Sequence, residues 1–164
     1  MQDILDLQKN SFCNSPFPTL KQRKQNLRLV LKIVSDYKQE WIDAISEDFG
    51  HRSKHETLLM ELMQAQHLIK YVLSNLRRWM KPKSRSSGLL NIPARSKIYW
   101  QPLGVVGIIS PWNYPIDFTL SPLVYALASG NRVMIKPSEH SPKTSLLLHS
   151  LISKYFEKEY VAIC

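Results

Sequence analysis

Two short stretches of the chain carry side chains whose types and spacing suit chemistry. Trp112, Asn113 and Tyr114 stand between Pro111 and Pro115, so a carboxamide is presented between two aromatic rings on a loop that proline stiffens at either end. Asparagine in such a place also commonly satisfies turn backbone. Lys136 and Glu139, in the tetrapeptide Lys-Pro-Ser-Glu, put a cation and a carboxylate on one turn, which by itself reads as a solvated ion pair. His51 and His55 stand four apart and invite a metal reading. Gly50 breaks the helix beside them, however, and no Glu or third ligand is spaced to complete a site. With His67 they read as surface or helix-terminal histidines, and no metal is expected.

The elements around these stretches decide where they sit. Leu103 to Ile109 is an apolar run broken only by Gly104 and Gly107, the composition of a strand buried on both faces. A helix is expected from about Ile116 to Ser129, with Pro122 tolerable near its first turns and Gly130-Asn131 as its stop. Val133, Met134 and Ile135 make a second strand that runs straight into Lys136. Ser141 and Pro142 then open a helix to about Phe156, and Tyr160 to Cys164 reads as a third strand. Strand, loop, helix, strand is half of a doubly wound sheet, in which ligands sit at the carboxyl ends of the strands. Both polar loops lie at that edge.

The front half is helical. Ile4, Leu5 and Leu7 allow a short first helix, ended by Asn14-Ser15-Pro16-Phe17-Pro18. Thr19 caps a second, with Leu20, Leu27, Val30, Leu31 and Val34 inward; Tyr37, Trp41, Ile42, Ile45 and Phe49 continue the period after a bend near Asp36, up to Gly50. A third helix fits Ser53 to Met80, with a Ser53–Glu56 capping box and Leu59, Leu62, Met63, Gln66, Ile69, Leu73 and Leu76 along one side. Lys83 to Gly88 is a polar, basic loop. Leu89 to Ile92 and Arg95 to Gln101 look like two short strands around Pro93-Ala94.

Taken together, Ile-Ser-Pro-Trp-Asn-Tyr-Pro at 109–115, Gly130-Asn131 and Lys-Pro-Ser-Glu at 136–139 resemble the matching blocks of the NAD(P)-dependent aldehyde dehydrogenase superfamily, in order and spacing. Asp48 to Ser53 and Arg77 to Pro82 resemble its coniferyl aldehyde dehydrogenase branch, so the likeness runs over nearly the whole chain. The fold this implies is α/β: residues 1–82 as a helical part of the cofactor-binding domain, 83–101 as a strand excursion that pairs subunits into a homodimer, and 102–164 as the first half of a Rossmann-like sheet. By resemblance Asn113 donates to the oxyanion, Lys136 and Glu139 bind the adenosine ribose, Ile109, Ser110 and Trp112 line the cofactor cleft, and Tyr114 faces the aldehyde entrance. The acidic Glu139 favours NAD over a 2′-phosphate, with NADP still tolerated by Lys136.

The family's nucleophilic cysteine, general-base glutamate and Gly-rich pyrophosphate turn match nothing among these 164 residues. Gly104-Val105-Val106-Gly107 has the wrong spacing for that turn. Cys164 falls in the third strand and reads as a buried, inert thiol rather than a nucleophile. The chain is therefore expected to be the amino-terminal portion of an enzyme that oxidises an aromatic aldehyde to its acid, and to be inactive alone. The rival is a non-enzymatic remnant serving as a dinucleotide- or protein-binding module.

Composition bounds the rest. At 44% hydrophobic residues the chain is globular, and 22 Lys and Arg against 13 Asp and Glu give a formal charge of +9. Arg77, Arg78, Lys81, Lys83 and Arg85 gather where a helix ends, where cations suit its dipole, and no nucleic-acid motif accompanies them; no nucleic-acid partner is expected. Two cysteines at opposite ends suggest a reducing compartment, and no apolar run is long enough to cross a bilayer, so the expectation is a cytoplasmic protein.

Overall fold

The computed structural model describes residues 1–164. Its first helix, α1 (Gln2–Asn14), is longer than Ile4, Leu5 and Leu7 alone require, because the buried Gln8 amide ties it to the sheet by donating to the carbonyls of Val133 (2.9 Å) and Lys158 (3.0 Å). In α2 (Leu20–Asp36) the Thr19 hydroxyl accepts from the Gln22 N–H while Gln22 Oε1 accepts from the Thr19 N–H, a full capping box. Leu27, Val30, Ile33 and Val34 form its buried face. A break at Tyr37 separates α2 from α3 (Lys38–Asp48), which buries Trp41, Ile42 and Ile45.

Gly50 (φ +61°) and His51 (φ +77°) turn the chain away from α3 in two successive left-handed residues. The helical run that follows is not uniform: α4 (Lys54–Glu56) leads into a π-helical segment, Thr57–Leu62, and then α5 (Met63–Trp79). The Ser53 capping box does not form, for Glu56 is engaged by Arg52 instead. A wider π turn also rotates the faces. Leu59 and Met63, expected inward, are exposed, and the buried stripe is Thr57, Glu61, Leu62, Ala65, Ile69, Val72 and Leu76. Arg77 and Arg78 occupy the last turn of α5, as the dipole favours.

The excursion differs in register from expectation. β1 (Lys83–Arg85), read as loop, pairs antiparallel with β2 (Ser96–Ile98), while Leu89–Asn91, read as strand, is a 3₁₀ turn following Gly88 (φ +82°). The pairing runs through backbone, so polar Lys83-Ser84-Arg85 serves it as well as apolar residues would. Leu89, Leu90 and Ile92 are left on the surface of the tip.

The remaining strands form one parallel sheet, β3 (Val105–Ile109), β4 (Arg132–Lys136) and β5 (Val161–Ile163), in that spatial order, with α6 (Asp117–Ser129) and α7 (Pro142–Tyr155) as crossovers. Ile108, Val133 and Ile135 enter a core of 26 buried residues shared with α2, α5, α6 and α7. β3 is not buried on both faces. It is an edge strand whose second face meets only α1, so Gly107 is open and Ile109 is 82% exposed. Cys164 follows β5 with its thiol exposed, not buried, although its N–H donates to the Ile135 carbonyl at 2.7 Å.

Three polar side chains hold the crossovers. Ser141 gives no side-chain cap to α7; the Asp48 carboxylate from the end of α3 does so, accepting from the N–H groups of Lys143 (2.9 Å) and Thr144 (2.8 Å). At the end of α6, Gly130 takes φ +96°, and buried Asn131 accepts the N–H groups of Leu103 and Gly104 on its side-chain oxygen. The Arg23 guanidinium lies under this turn, donating to the Pro18 and Ala128 carbonyls, and burial lowers its pKa from the ordinary arginine value. A Cβ on Gly130 would stand 2.9 Å from that guanidinium. Gly130→Ala, strained in φ and crowded against Arg23, is expected to cost more than about 1 kcal/mol in a urea unfolding titration.

Candidate functional site

The carboxyl ends of β3 and β4 are joined by the Ser110 N–H, which donates to the Lys136 carbonyl at 3.0 Å. This bond places the start of the 110–116 loop and the Lys136–Glu139 turn on one edge. Ser110 is buried, its hydroxyl 2.8 Å from that of Thr119, so the residue contributes backbone and support rather than a free side chain. Ile109 precedes it, open to solvent.

Lys136 Nζ lies 2.6 Å from Glu139 Oε2, and both side chains are exposed. The hydrogen bond from the lysine, helped by the residue's own backbone N–H, holds the Glu139 carboxyl below the usual glutamate range. Lys136 also edges an apolar trough of about 400 Å³, walled by Met1, by Leu5 of α1 and by Ile109 and Met134.

Asn113 is exposed, and its side-chain amide makes no hydrogen bond within the chain; only its backbone carbonyl is engaged, accepting from Arg52 Nη1 at 3.0 Å. The amide is thus not consumed by turn backbone. A cleft of about 410 Å³ opens beside it, lined by Phe49, Gly50, His51, Arg52, Glu56, Asn113 and Tyr114. Trp112 stacks on Phe49 (centroids 6.2 Å, 29°), and Tyr114 meets Phe118 edge to face at 6.0 Å. Neither Cys13 nor Cys164 lines this cleft. No cluster of three His, Cys, Asp or Glu is placed to hold a metal ion, and no helix is long and apolar enough to cross a membrane.

Two residues at this site escaped the sequence reading. The Arg52 side chain, 8% exposed, has Nη1 3.2 Å from Oε1 of Glu61, which is 0% exposed, though not aligned for a hydrogen bond. Glu61 Oε2 accepts from the N–H groups of Ile116 (2.8 Å) and Asp117 (3.4 Å), capping α6 from another element. Burial pushes the Glu61 carboxyl above its ordinary value, opposed by those N–H groups and by Arg52. The available signal was a carboxylate on an inward-facing helical position, where charge requires a partner.

The aldehyde dehydrogenase family model matches residues 16–163. The chain belongs to the aldehyde dehydrogenase family. It is 44% identical over 163 residues to a probable coniferyl aldehyde dehydrogenase of Pseudomonas aeruginosa, covering 99% of this chain and 34% of that protein. It is 37% identical to a coniferyl aldehyde dehydrogenase of a Pseudomonas species, over 94% of this chain and 32% of the relative. Among solved structures, the substrate-bound state of Staphylococcus aureus AldH superposes with a TM-score of 0.96 at 29% identity, over 99% of this chain and 35% of that one. The chain spans about a third of the length of the curated relatives it matches. As in other aldehyde dehydrogenases, a family that depends on NAD(P), its sheet and helices form an α/β fold.

Because Glu61 binds its proton more tightly folded than unfolded, its favourable contribution is full below the unfolded glutamate pKa and declines as pH rises through the raised folded one. Glu61→Gln is therefore expected to gain stability relative to the wild type across that window. Glu61→Ala, which leaves the Ile116 and Asp117 N–H groups without an acceptor and Arg52 with Glu56 as its one carboxylate, should lose about 1–3 kcal/mol near neutral pH. Urea titrations at stepped pH read both.

Proposed function

We propose that residues 1–164 are the cofactor- and oxyanion-holding portion of an aldehyde dehydrogenase that oxidises an aromatic aldehyde of the coniferyl type to its acid with NAD(P). The observation that carries the reading is the meeting, at one sheet edge, of a free Asn113 amide on a braced loop with the Lys136–Glu139 pair. Aldehyde oxidation needs a donor for the oxyanion that forms on the carbonyl, and an amide held in place beforehand avoids reorganisation in the transition state.

The residues present fit the adenosine half of a dinucleotide. Lys136 donates to, and Glu139 accepts from, the ribose hydroxyls, so their mutual bond opens or is bridged on binding. The apolar trough beside Lys136 supplies a wall for the base, and backbone at Ile109, Ser110 and Trp112 lines the cleft. The bound dinucleotide supplies the hydride acceptor. Tyr114 and Trp112 flank Asn113 and give the aldehyde entrance its aromatic walls. Subunit pairing through residues 83–101 fits the exposed Leu89, Leu90 and Ile92 at the tip of the excursion, and a homodimer is the proposed assembly.

With no family nucleophile or base among its residues, the 164-residue chain should bind dinucleotide without aldehyde-dependent NADH formation. Calorimetry should show weak NAD binding that Lys136→Ala with Glu139→Ala abolishes, and Glu139→Gln should narrow the preference for NAD over NADP. NAD binding untouched by the double substitution would overturn the site. Genuine turnover by this chain would overturn the account of the missing groups.

A further inference from the structure

The device that holds Asn113 is built from parts that have no role in the dinucleotide site. Gly50 and His51, both left-handed, send the chain out of α3 so that Arg52 enters the space beneath the 110–116 loop. There its planar fork is used on three sides: Nη1 donates to the Asn113 carbonyl (3.0 Å), Nη2 to Glu56 Oε1 (3.0 Å), and the cation stands over the rings of Tyr114 (4.6 Å) and Phe49 (5.2 Å). Phe49 in turn stacks on Trp112. The π-helical segment brings Glu61 to the same place, and its carboxylate grips the far end of the loop at Ile116 and Asp117. The loop is thus held at Trp112, Asn113, Tyr114, Ile116 and Asp117, while the Asn113 side chain alone is left free.

We propose that Arg52, seated by Glu61, is the positioning residue for Asn113: it fixes the peptide at 113 through its carbonyl and so aims the free side-chain amide into the 410 Å³ cleft. The inference rests on reading Asn113 as the oxyanion donor. A lysine cannot replace Arg52, because one ammonium cannot bond the carbonyl and Glu56 while lying flat over two rings. Glutamine can replace Glu61 in part, since its side-chain oxygen still accepts from Ile116 and Asp117.

NMR of the 164-residue chain, by 15N relaxation at the loop and amide hydrogen exchange elsewhere, tests this. In Arg52→Lys, and in Arg52→Met where it folds, the 15N order parameters of Asn113 and Tyr114 should fall from about 0.85 to below about 0.6, the change from a held to a mobile backbone. Core amides at Leu27, Ile33, Val133 and Ile135 should stay slow. Glu61→Gln should keep Ile116 and Asp117 protected where Glu61→Ala does not. Unchanged order parameters at 113–114 in Arg52→Lys would overturn the proposal, as would loop and core loosening together, which marks general destabilisation. These readouts do not depend on what Asn113 does chemically. A failure of the oxyanion reading, seen as unchanged turnover on Asn113→Ala in an enzyme that carries the nucleophile, would leave them as they are.

Discussion

The buried contact between Arg52 and Glu61 is the constraint on which the site depends. Neither charge is at home there: burial raises the Glu61 carboxyl pKa, and a pair so placed costs desolvation that attraction alone repays only with good additional bonding. That bonding is supplied by the loop itself. Glu61 satisfies two of the N–H groups that α6 leaves open, and Arg52 satisfies the Asn113 carbonyl. The pair and the loop are therefore each the reason the other is tolerated. An apolar pair of the same volume would pack as well but would leave the start of α6 without acceptors.

The same logic recurs away from the cleft. Asp48 caps α7 across the fold, Arg23 sits under the turn that ends α6, and Asn131 receives the chain entering β3. Each is a polar side chain from one element meeting the backbone ends of another. A short parallel sheet has many such ends, because every crossover begins and finishes a helix. Their effect is to fix the carboxyl edge of β3 and β4, where the Lys136 carbonyl and the Ser110 N–H meet, and so to set the separation of the two polar loops.

What could be read in advance was local. Proline on both sides of Trp112-Asn113-Tyr114, the Gly130 stop and the run of Val133 to Lys136 state their conformations through their own residues, and the succession of strand, loop, helix and strand followed from them. The misses were non-local. Thr19 and Gln22 are three apart and cap as expected, whereas Asp48 reaches a helix almost a hundred residues on, and Ser141, the local candidate, does not cap it. The π turn brings Thr57 inward and Leu59 outward by a mechanism that 3.6-residue spacing does not register, whereas Glu61, four residues before Ala65 on the buried face, was passed over because it is charged. Lys83-Ser84-Arg85 pairs by backbone alone, and Cys164 is exposed because β5 ends one residue before it. The roles proposed for Asn113, Lys136 and Glu139 came from resemblance, not from spacing.

In the proposed site, one edge of a small sheet binds a dinucleotide beside a held amide. Backbone NMR shifts of the 164-residue chain, followed as NAD is added, test it most directly. The peaks that move should belong together, at Ile109, Ser110, Trp112, Lys136 and Glu139, with the far ends of α2 and α7 near Tyr37 and Tyr155 still. Shifts centred on Lys83 to Gln101 or scattered along the basic surface, with the 109–112 and 136–139 peaks fixed, would contradict it.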